Sequence, residues 1–152
     1  MNAANEINTV FSILHDGTIT AWSGDKSLLT LTIECLYLAE RMDTSFDRFY
    51  VQLANIDNME FDPWTNPVDI PAIIKTDFAD IFKAELEILS AEVKNKLVVV
   101  SCMQHDPDFD YSGGNLTISC EAIKVFDQNK REMTIDQLME ICKSYWKEWS
   151  RK

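Results

Sequence analysis

The sequence predicts an α+β fold: a strongly curved antiparallel sheet of about six or seven strands, with a C-terminal helix packed on one face. Two observations carry this prediction. Several short segments alternate apolar and polar residues with a period of two, which is typical of half-buried antiparallel strands. Residues 134–150 instead place apolar side chains three and four positions apart behind a capping sequence, which indicates an amphipathic helix.

The chain of 152 residues is expected to form a single domain. Its 46% hydrophobic and 26% charged residues match ordinary globular proteins and argue against disorder. No repeat, Pro-rich tract or Gly/Ser linker divides it. We therefore expect residues 1–133 to be mainly β, with an irregular crossover at 56–83, and residues 134–150 to form the C-terminal helix.

Six segments carry the strand pattern, and glycines or short polar turns separate them. Gly17 and Gly24 stand in the turns around the first segment, and Gly113 and Gly114 open the last one. Because β-branched residues are frequent in these segments, we expect them to pair in one sheet or a partly closed barrel. The predicted strands are residues 18–22, 29–37, 49–53, 84–93, 97–102 and 116–126.

The crossover is predicted from its prolines. Pro63, Pro67 and Pro71 lack the backbone N–H that a regular ladder needs. The segment is nevertheless too apolar for a free loop, so we expect it to pack against the sheet and to contain a short helix near residues 77–82.

The C-terminal helix is predicted to begin after Thr134. Gln137 follows three residues later, so the two side chains can form a reciprocal capping box. The expected apolar stripe, which should lie across one sheet face, is Ile135, Leu138, Met139, Cys142, Tyr145, Trp146 and Trp149.

The net charge limits the classes of partner. Lys and Arg total 14 and Asp and Glu total 25, which gives a formal charge of −11. Nucleic acids and anionic membranes need a positive surface, so we expect neither as a partner. An acidic surface suits a basic protein or a cation, although it can also serve solubility alone.

Location and cofactors are also predicted from the sequence. No basic N-terminal stretch precedes an apolar run, and no apolar run reaches the roughly 20 residues that span a bilayer, so we expect a cytoplasmic protein. Neither GxGxxG nor GxxxxGK[ST] occurs, and we predict no cofactor. The four cysteines form no CxxC pair, and apolar strands disfavour a thiolate, so no metal ligand or catalytic residue is predicted.

Acidic residues are concentrated between residues 57 and 92, where nine of them face only two lysines. Aromatic residues are interleaved with them, which is the composition of interface anchors inside a charged rim. The alternative is that Phe61 and Trp64 close an open end of the sheet. The predicted partner-binding residues are Asp57, Glu60, Phe61, Asp62, Trp64, Asp69 and Asp80.

A second candidate site lies at residues 105–111. His105, Asp106, Asp108 and Tyr111 could hold a small molecule or a cation at the mouth of the curved sheet. The segment departs from an EF-hand loop, because Tyr111 stands where that loop needs Gly and Thr117 where it needs Glu. A solvated acidic loop is the other interpretation.

Several phrases together resemble a known group of proteins. They are residues 14–19 (LHDGTI), residues 87–92 (EILSAE), the Gly113-Gly114 pair and residues 145–149 (YWKEW). The chain resembles small acidic uncharacterised bacterial proteins that include the immunity partners of polymorphic toxins. The resemblance implies a cytosolic, non-enzymatic protein-binding module that inhibits a basic toxin or nuclease by occluding it.

Overall fold

A curved seven-stranded antiparallel sheet and four helices make up the structure, a computed structural model that describes residues 2–150. The predicted α+β class is therefore confirmed. In chain order the elements are α1 (Ala3–Ile13), β1 (Thr18–Gly24), β2 (Leu28–Glu34), α2 (Leu36–Ala39), β3 (Arg48–Thr65), α3 (Phe78–Ile81), β4 (Leu86–Lys94), β5 (Leu97–Met103), β6 (Tyr111–Phe126), β7 (Glu132–Met133) and α4 (Ile135–Trp149).

The sheet closes on itself. Its strand order is β3-β2-β1-β4-β5-β6-β7, and β3 also pairs with β6, so six strands form a ring. The closure is uneven. β1 and β4 share only the pairs at Thr18 and Ile19, whereas β3 and β6 pair from Tyr50 opposite Phe126 to Thr65 opposite Tyr111.

The length of β3 corrects the sequence analysis. The sequence predicts an irregular crossover from residue 56. That prediction is wrong for residues 56–65, because this stretch continues β3. Phe61 exchanges backbone hydrogen bonds with Lys75 on the side of β3 away from β6. Backbone groups alternate in direction, so the nitrogen of Pro63 points to that same nearly unpaired side and its missing N–H interrupts no ladder. The short helix α3 lies where one is predicted.

An N-terminal helix, α1, is absent from the sequence prediction. The Asn2 side chain caps it by accepting a hydrogen bond from the Asn5 backbone N–H at 2.9 Å. Its buried residues Ile7, Val10 and Phe11 are spaced three and one apart along one face, and the helix packs against β4, β5 and β6. The capping Asn and this spacing were the signals that could have revealed it.

Helix α4 begins as predicted. Gln137 N–H donates to the Thr134 hydroxyl at 3.1 Å, and Thr134 N–H donates to the Gln137 side-chain oxygen at 2.8 Å. The helix packs mainly against α1 and α2, and Leu138 is its one fully buried residue. The predicted apolar stripe is therefore only partly covered, and Trp149 at its end is 58% exposed.

Two adjacent glycines lie inside β6, although the sequence analysis expected them to open a strand. A Cβ on Gly113 would lie 3.0 Å from Cε3 of Trp64, and a Cβ on Gly114 would lie 2.5 Å from Cζ of Phe61. Consecutive strand residues point to opposite faces, so one aromatic ring covers the outer face and the other the inner face. The glycines leave room for these rings.

We predict that Gly114→Ala lowers the free energy of unfolding by about 2 kcal/mol, because overpacking a well-packed core forces neighbours to shift. The new methyl group would meet the Phe61 ring and the backbone oxygen of Asp62, each at 2.5 Å. Urea denaturation measures the change. Ser112→Ala, at an exposed position two residues earlier in the same strand, is the control and should change stability by less than about 0.5 kcal/mol. Equal stability of the two variants would contradict this packing.

Candidate protein-binding surface

The second half of β3 carries acidic and aromatic side chains on its outer face. Its buried positions, Met59, Phe61 and Pro63, alternate with positions that reach solvent. The outer residues are Glu60, Asp62 and Trp64. The alternation is regular beyond the bulge near Asp57, where the pairing with β6 shifts register.

The loop after β3 exposes apolar side chains. Val68 is 90% exposed, Ile73 76% and Ile74 52%. Scattered apolar residues are ordinary on a protein surface, whereas the concentration of three large exposed ones within a single short segment is a feature of interaction sites. Asp69 lies between the first and second of them in sequence.

Several hydrogen bonds hold this loop in place. Asn66 N–H donates to the carbonyl oxygen of Asp110 at 2.7 Å, and the Thr65 hydroxyl donates to the carbonyl oxygen of Ile70 at 2.8 Å. The antiparallel bridge between Phe61 and Lys75 ties its far end to β3, with both N–O distances 2.9 Å. A loop fixed in this way loses less conformational entropy when it binds a partner.

The bridge also sets neighbours across β3. Because Phe61 pairs with Lys75 in antiparallel register, Ile74 falls opposite Asp62 on the outer side. Trp64 lies two positions along the same face. We call the group Asp62, Trp64, Val68, Asp69, Ile73 and Ile74 the β3 loop surface.

The charged groups around this surface are predominantly acidic. Across the residues that the structure describes, Glu60, Asp62 and Asp69 form no ion pair. Between residues 57 and 80 there are six acidic residues and one basic residue, Lys75. The amine of Lys75 lies 3.8 Å from an Asp80 carboxylate oxygen and 5.4 Å from the ring centre of Tyr111, so it is already engaged.

The structure separates the predicted partner-binding residues. Glu60, Asp62 and Trp64 share one outward face, and Asp69 lies in the adjoining loop. Phe61 is fully buried against Tyr111, with ring centres 5.8 Å apart, so its assignment as an exposed anchor is wrong. Because inward and outward positions alternate along β3, the side chain of Phe61 points into the core.

The other two predicted residues lie apart from this face. Asp57 is at the bulge and accepts a 3.4 Å hydrogen bond from the Ser119 hydroxyl, while Asp80 is on α3 beside Lys75. The sequence analysis missed Val68, Ile73 and Ile74 as surface residues. Their apolar character predicted burial against the sheet, and the structure shows instead that they are exposed.

The alternative site at residues 105–111 is not assembled as predicted. His105 and Asp106 line a cavity of about 450 Å³, whereas Asp108 and Tyr111 line a neighbouring one of about 300 Å³. Tyr111 is only 4% exposed and packs into the core. His105 Nε2 is engaged with a Glu87 carboxylate oxygen at 2.6 Å, so the four residues do not converge on one ligand position.

A residue that the sequence analysis overlooked, Gln104, organises that segment. Its buried side-chain amide donates to the carbonyl oxygens of Asp106 and Tyr111, and its side-chain oxygen accepts from the Asp106 N–H at 2.7 Å. Asp106 in turn accepts from the Asp108 N–H at 2.9 Å. The segment is a hydrogen-bonded loop built on one glutamine.

The four cysteines are all free, and burial makes them poor nucleophiles. Removal from water raises the pKa of the Cys102 thiol to about 12 and is the main cause that raises the pKa of Cys120 to about 11. The thiolate is therefore disfavoured, as the sequence analysis expected for these strand positions.

Within residues 2–150, no group of three or more His, Cys, Asp or Glu side chains is arranged to hold a metal ion. None of the helices described is long and apolar enough to cross a membrane. Comparison of the chain with known protein families, with curated proteins and with solved structures found no match.

We predict that Gln104→Ala speeds amide hydrogen exchange at residues 105–110 and lowers stability by about 1–3 kcal/mol. The physical reason is that two carbonyl groups and one N–H lose their partner, in a setting that is buried at Tyr111 and partly buried at Asp106. Exchange followed by mass spectrometry gives the local readout. Gln52→Ala, on the outer face of β3, is the matched control, and equal exchange in both variants would show that Gln104 does not hold the loop.

We also predict that stability falls as the pH rises above about 8.5, the ordinary thiol pKa. Above that pH the unfolded chain loses thiol protons that the folded chain retains, because burial raises the pKa of Cys102 to about 12. Chemical unfolding between pH 8 and 10 under reducing conditions measures the slope. Cys102→Ala should reduce the slope without abolishing it, since Cys35 and Cys120 also have raised pKa values. An unchanged slope in Cys102→Ala would contradict the assignment.

Proposed function

We propose that this protein is a non-enzymatic binding module that docks a basic protein on the β3 loop surface. The observation that carries the proposal is the exposure of Val68, Ile73 and Ile74 on a fixed loop beside carboxylates without ion pairs. The immunity-type resemblance supplies the finer proposal, in which the module works in the cytoplasm and inhibits a basic toxin or nuclease.

The layout of the surface supports binding to a protein. Protein interfaces place apolar anchors at the centre and a polar rim around them. Here aliphatic side chains and Trp64 supply the apolar part, while Asp62 and Asp69 supply the charge. Removing apolar surface from water is favourable by about 25 cal/mol per Å². A partner that covers these side chains would therefore gain binding free energy from them.

The acidic rim supports a basic partner for a separate reason. Opposite potentials steer two proteins together and raise the association rate well above that of neutral surfaces. A nuclease needs cationic side chains where it holds phosphates. An acidic protein that covers those side chains competes with the nucleic acid directly, so occlusion is sufficient for inhibition and no chemistry is required.

The test is comparative capture from the cells that express the gene, followed by binding kinetics with the captured protein. Wild type should retain a basic protein in stoichiometric amount, and Ile73→Ser with Ile74→Ser should lose it. Both side chains are more than half exposed, so fold stability should change by less than about 1 kcal/mol. Leu28→Ser with Val93→Ser, at exposed apolar positions elsewhere, is the matched control and should still bind.

A charge reversal at Glu60 and Asp62, each to Lys, tests the electrostatic part with the same captured protein. Association should slow by about tenfold or more at low salt, and its salt dependence should weaken. Glu40→Lys with Glu140→Lys, at the C-cap of α2 and on α4, carries the same change in net charge and is the control. Equal slowing of association in both pairs, or no slowing in either, would remove the β3 loop surface from the proposal.

A further inference from the structure

Trp64 has an unusual setting on the outer face of the sheet. Its six-membered ring lies over the backbone of Gly113, with Cε3 3.0 Å from the position of a Cβ there. Gly113 pairs with Trp64 on one side and with Met103 on the other, so the three residues form one row across β3, β6 and β5. Trp64 and Met103 are each 38% exposed. The indole therefore packs beside the glycine and still keeps 38% of the residue exposed to solvent.

Carboxylate and aliphatic groups border this indole. Asp62 is two residues away on the same face of β3, about 7 Å along the strand. Ile74 lies opposite Asp62 through the register of the Phe61–Lys75 bridge. An aromatic surface, an acid without an ion pair and one exposed aliphatic side chain therefore lie next to one another.

Aromatic faces elsewhere in the described chain already hold cations. Each of these contacts uses a tyrosine, and the cation lies within 6 Å of the ring centre. They are Arg41 with Tyr145 at 5.9 Å, Lys75 with Tyr111 at 5.4 Å and Lys130 with Tyr50 at 5.7 Å. Across residues 2–150, Trp64 has no such cation, although indole is the best of the aromatic acceptors.

We propose that Trp64 and Asp62 together bind an arginine side chain of the partner. The inference rests on the proposed function, because it names the group that the β3 loop surface recognises. A guanidinium can stack flat on the indole and donate hydrogen bonds to the Asp62 carboxylate at its edge. Ile74, beside Asp62, can cover the aliphatic stem of the same side chain.

Arginine fits this site better than lysine for two reasons. Its planar, weakly hydrated guanidinium stacks on an aromatic ring and keeps several donors in the ring plane, whereas a lysine ammonium is a strongly hydrated point charge. Its donors match a carboxylate in a fixed geometry. Bulk charge attraction alone treats the two residues alike, and the part of the arginine preference that Trp64→Leu removes measures the contribution of Trp64.

The experiment uses hexa-arginine and hexalysine, both acetylated and amidated, titrated into ¹⁵N-labelled full-length protein. The chain contains four tryptophans, whose indole N–H signals report binding separately once Trp64→Leu identifies the signal of Trp64. We expect hexa-arginine to shift this signal and to bind about threefold more tightly than hexalysine. In Trp64→Leu, which retains an apolar cover over Gly113, the ratio of the two affinities should fall to about one.

Two further variants separate stacking from charge. Asp62→Asn should weaken the binding of both peptides and reduce the salt dependence of that binding. Trp149→Leu removes another exposed tryptophan, 58% accessible at the end of α4, and should leave the arginine preference intact. Thermal melts of all variants confirm that the fold is retained.

The possible outcomes separate the arginine site, the role of Trp64 and the proposed function. Equal affinity for the two peptides, with shifts still confined to the β3 loop surface, would overturn the arginine site and leave the docking surface standing. Shifts confined to other acidic segments, such as residues 105–110, would overturn both the arginine site and the proposed function. A preference for arginine that survives Trp64→Leu would also overturn the role of Trp64.

Discussion

The long antiparallel pairing of β3 with β6 sets both the core and the exposed surface of this protein. It runs from Tyr50 opposite Phe126 to Thr65 opposite Tyr111, and it is the contact that closes the ring of strands. Because side chains alternate along a strand, a slip of one residue would exchange Phe61 with its outward neighbours. The close approach of the two aromatic rings to Gly113 and Gly114 fixes the register, since only glycine leaves room for both.

Much of the architecture follows from local patterns, and the failures share a cause. Alternation located β2, a short apolar run after a polar turn located β5, and the Thr134 capping box located α4. The continuation of β3 through Pro63 could not be predicted, because a proline is tolerated only where its nitrogen faces an unpaired side, and pairing partners are distant in sequence. The glycine pair in β6 was mistaken for a turn for the same reason: its use is to receive rings from another strand.

The candidate site shows the same division between local and non-local information. Charge adds along the sequence, so the acidic region could be located by counting. The difference between Phe61 and Trp64 depends on strand parity, and once residues 56–65 are a strand these two residues, three apart, must face opposite sides. The exposed loop residues are harder to predict, because an apolar side chain such as Ile73 ordinarily indicates burial.

The β3 loop surface also has an energetic logic that separates binding from folding. Val68 is 90% exposed, so it contributes almost nothing to the buried core, and among the described residues Asp62 and Asp69 have no ion pair that would offset the repulsion between carboxylates. Features that do not stabilise the folded chain are expected where a partner supplies the missing contacts. The hydrogen bonds of Asn66 and Thr65 nevertheless hold this loop in one conformation. A rigid loop that exposes apolar groups amid like charges adds little to the stability of the folded chain. In the proposed complex, its apolar and acidic groups would instead contribute to the free energy of binding a cationic surface.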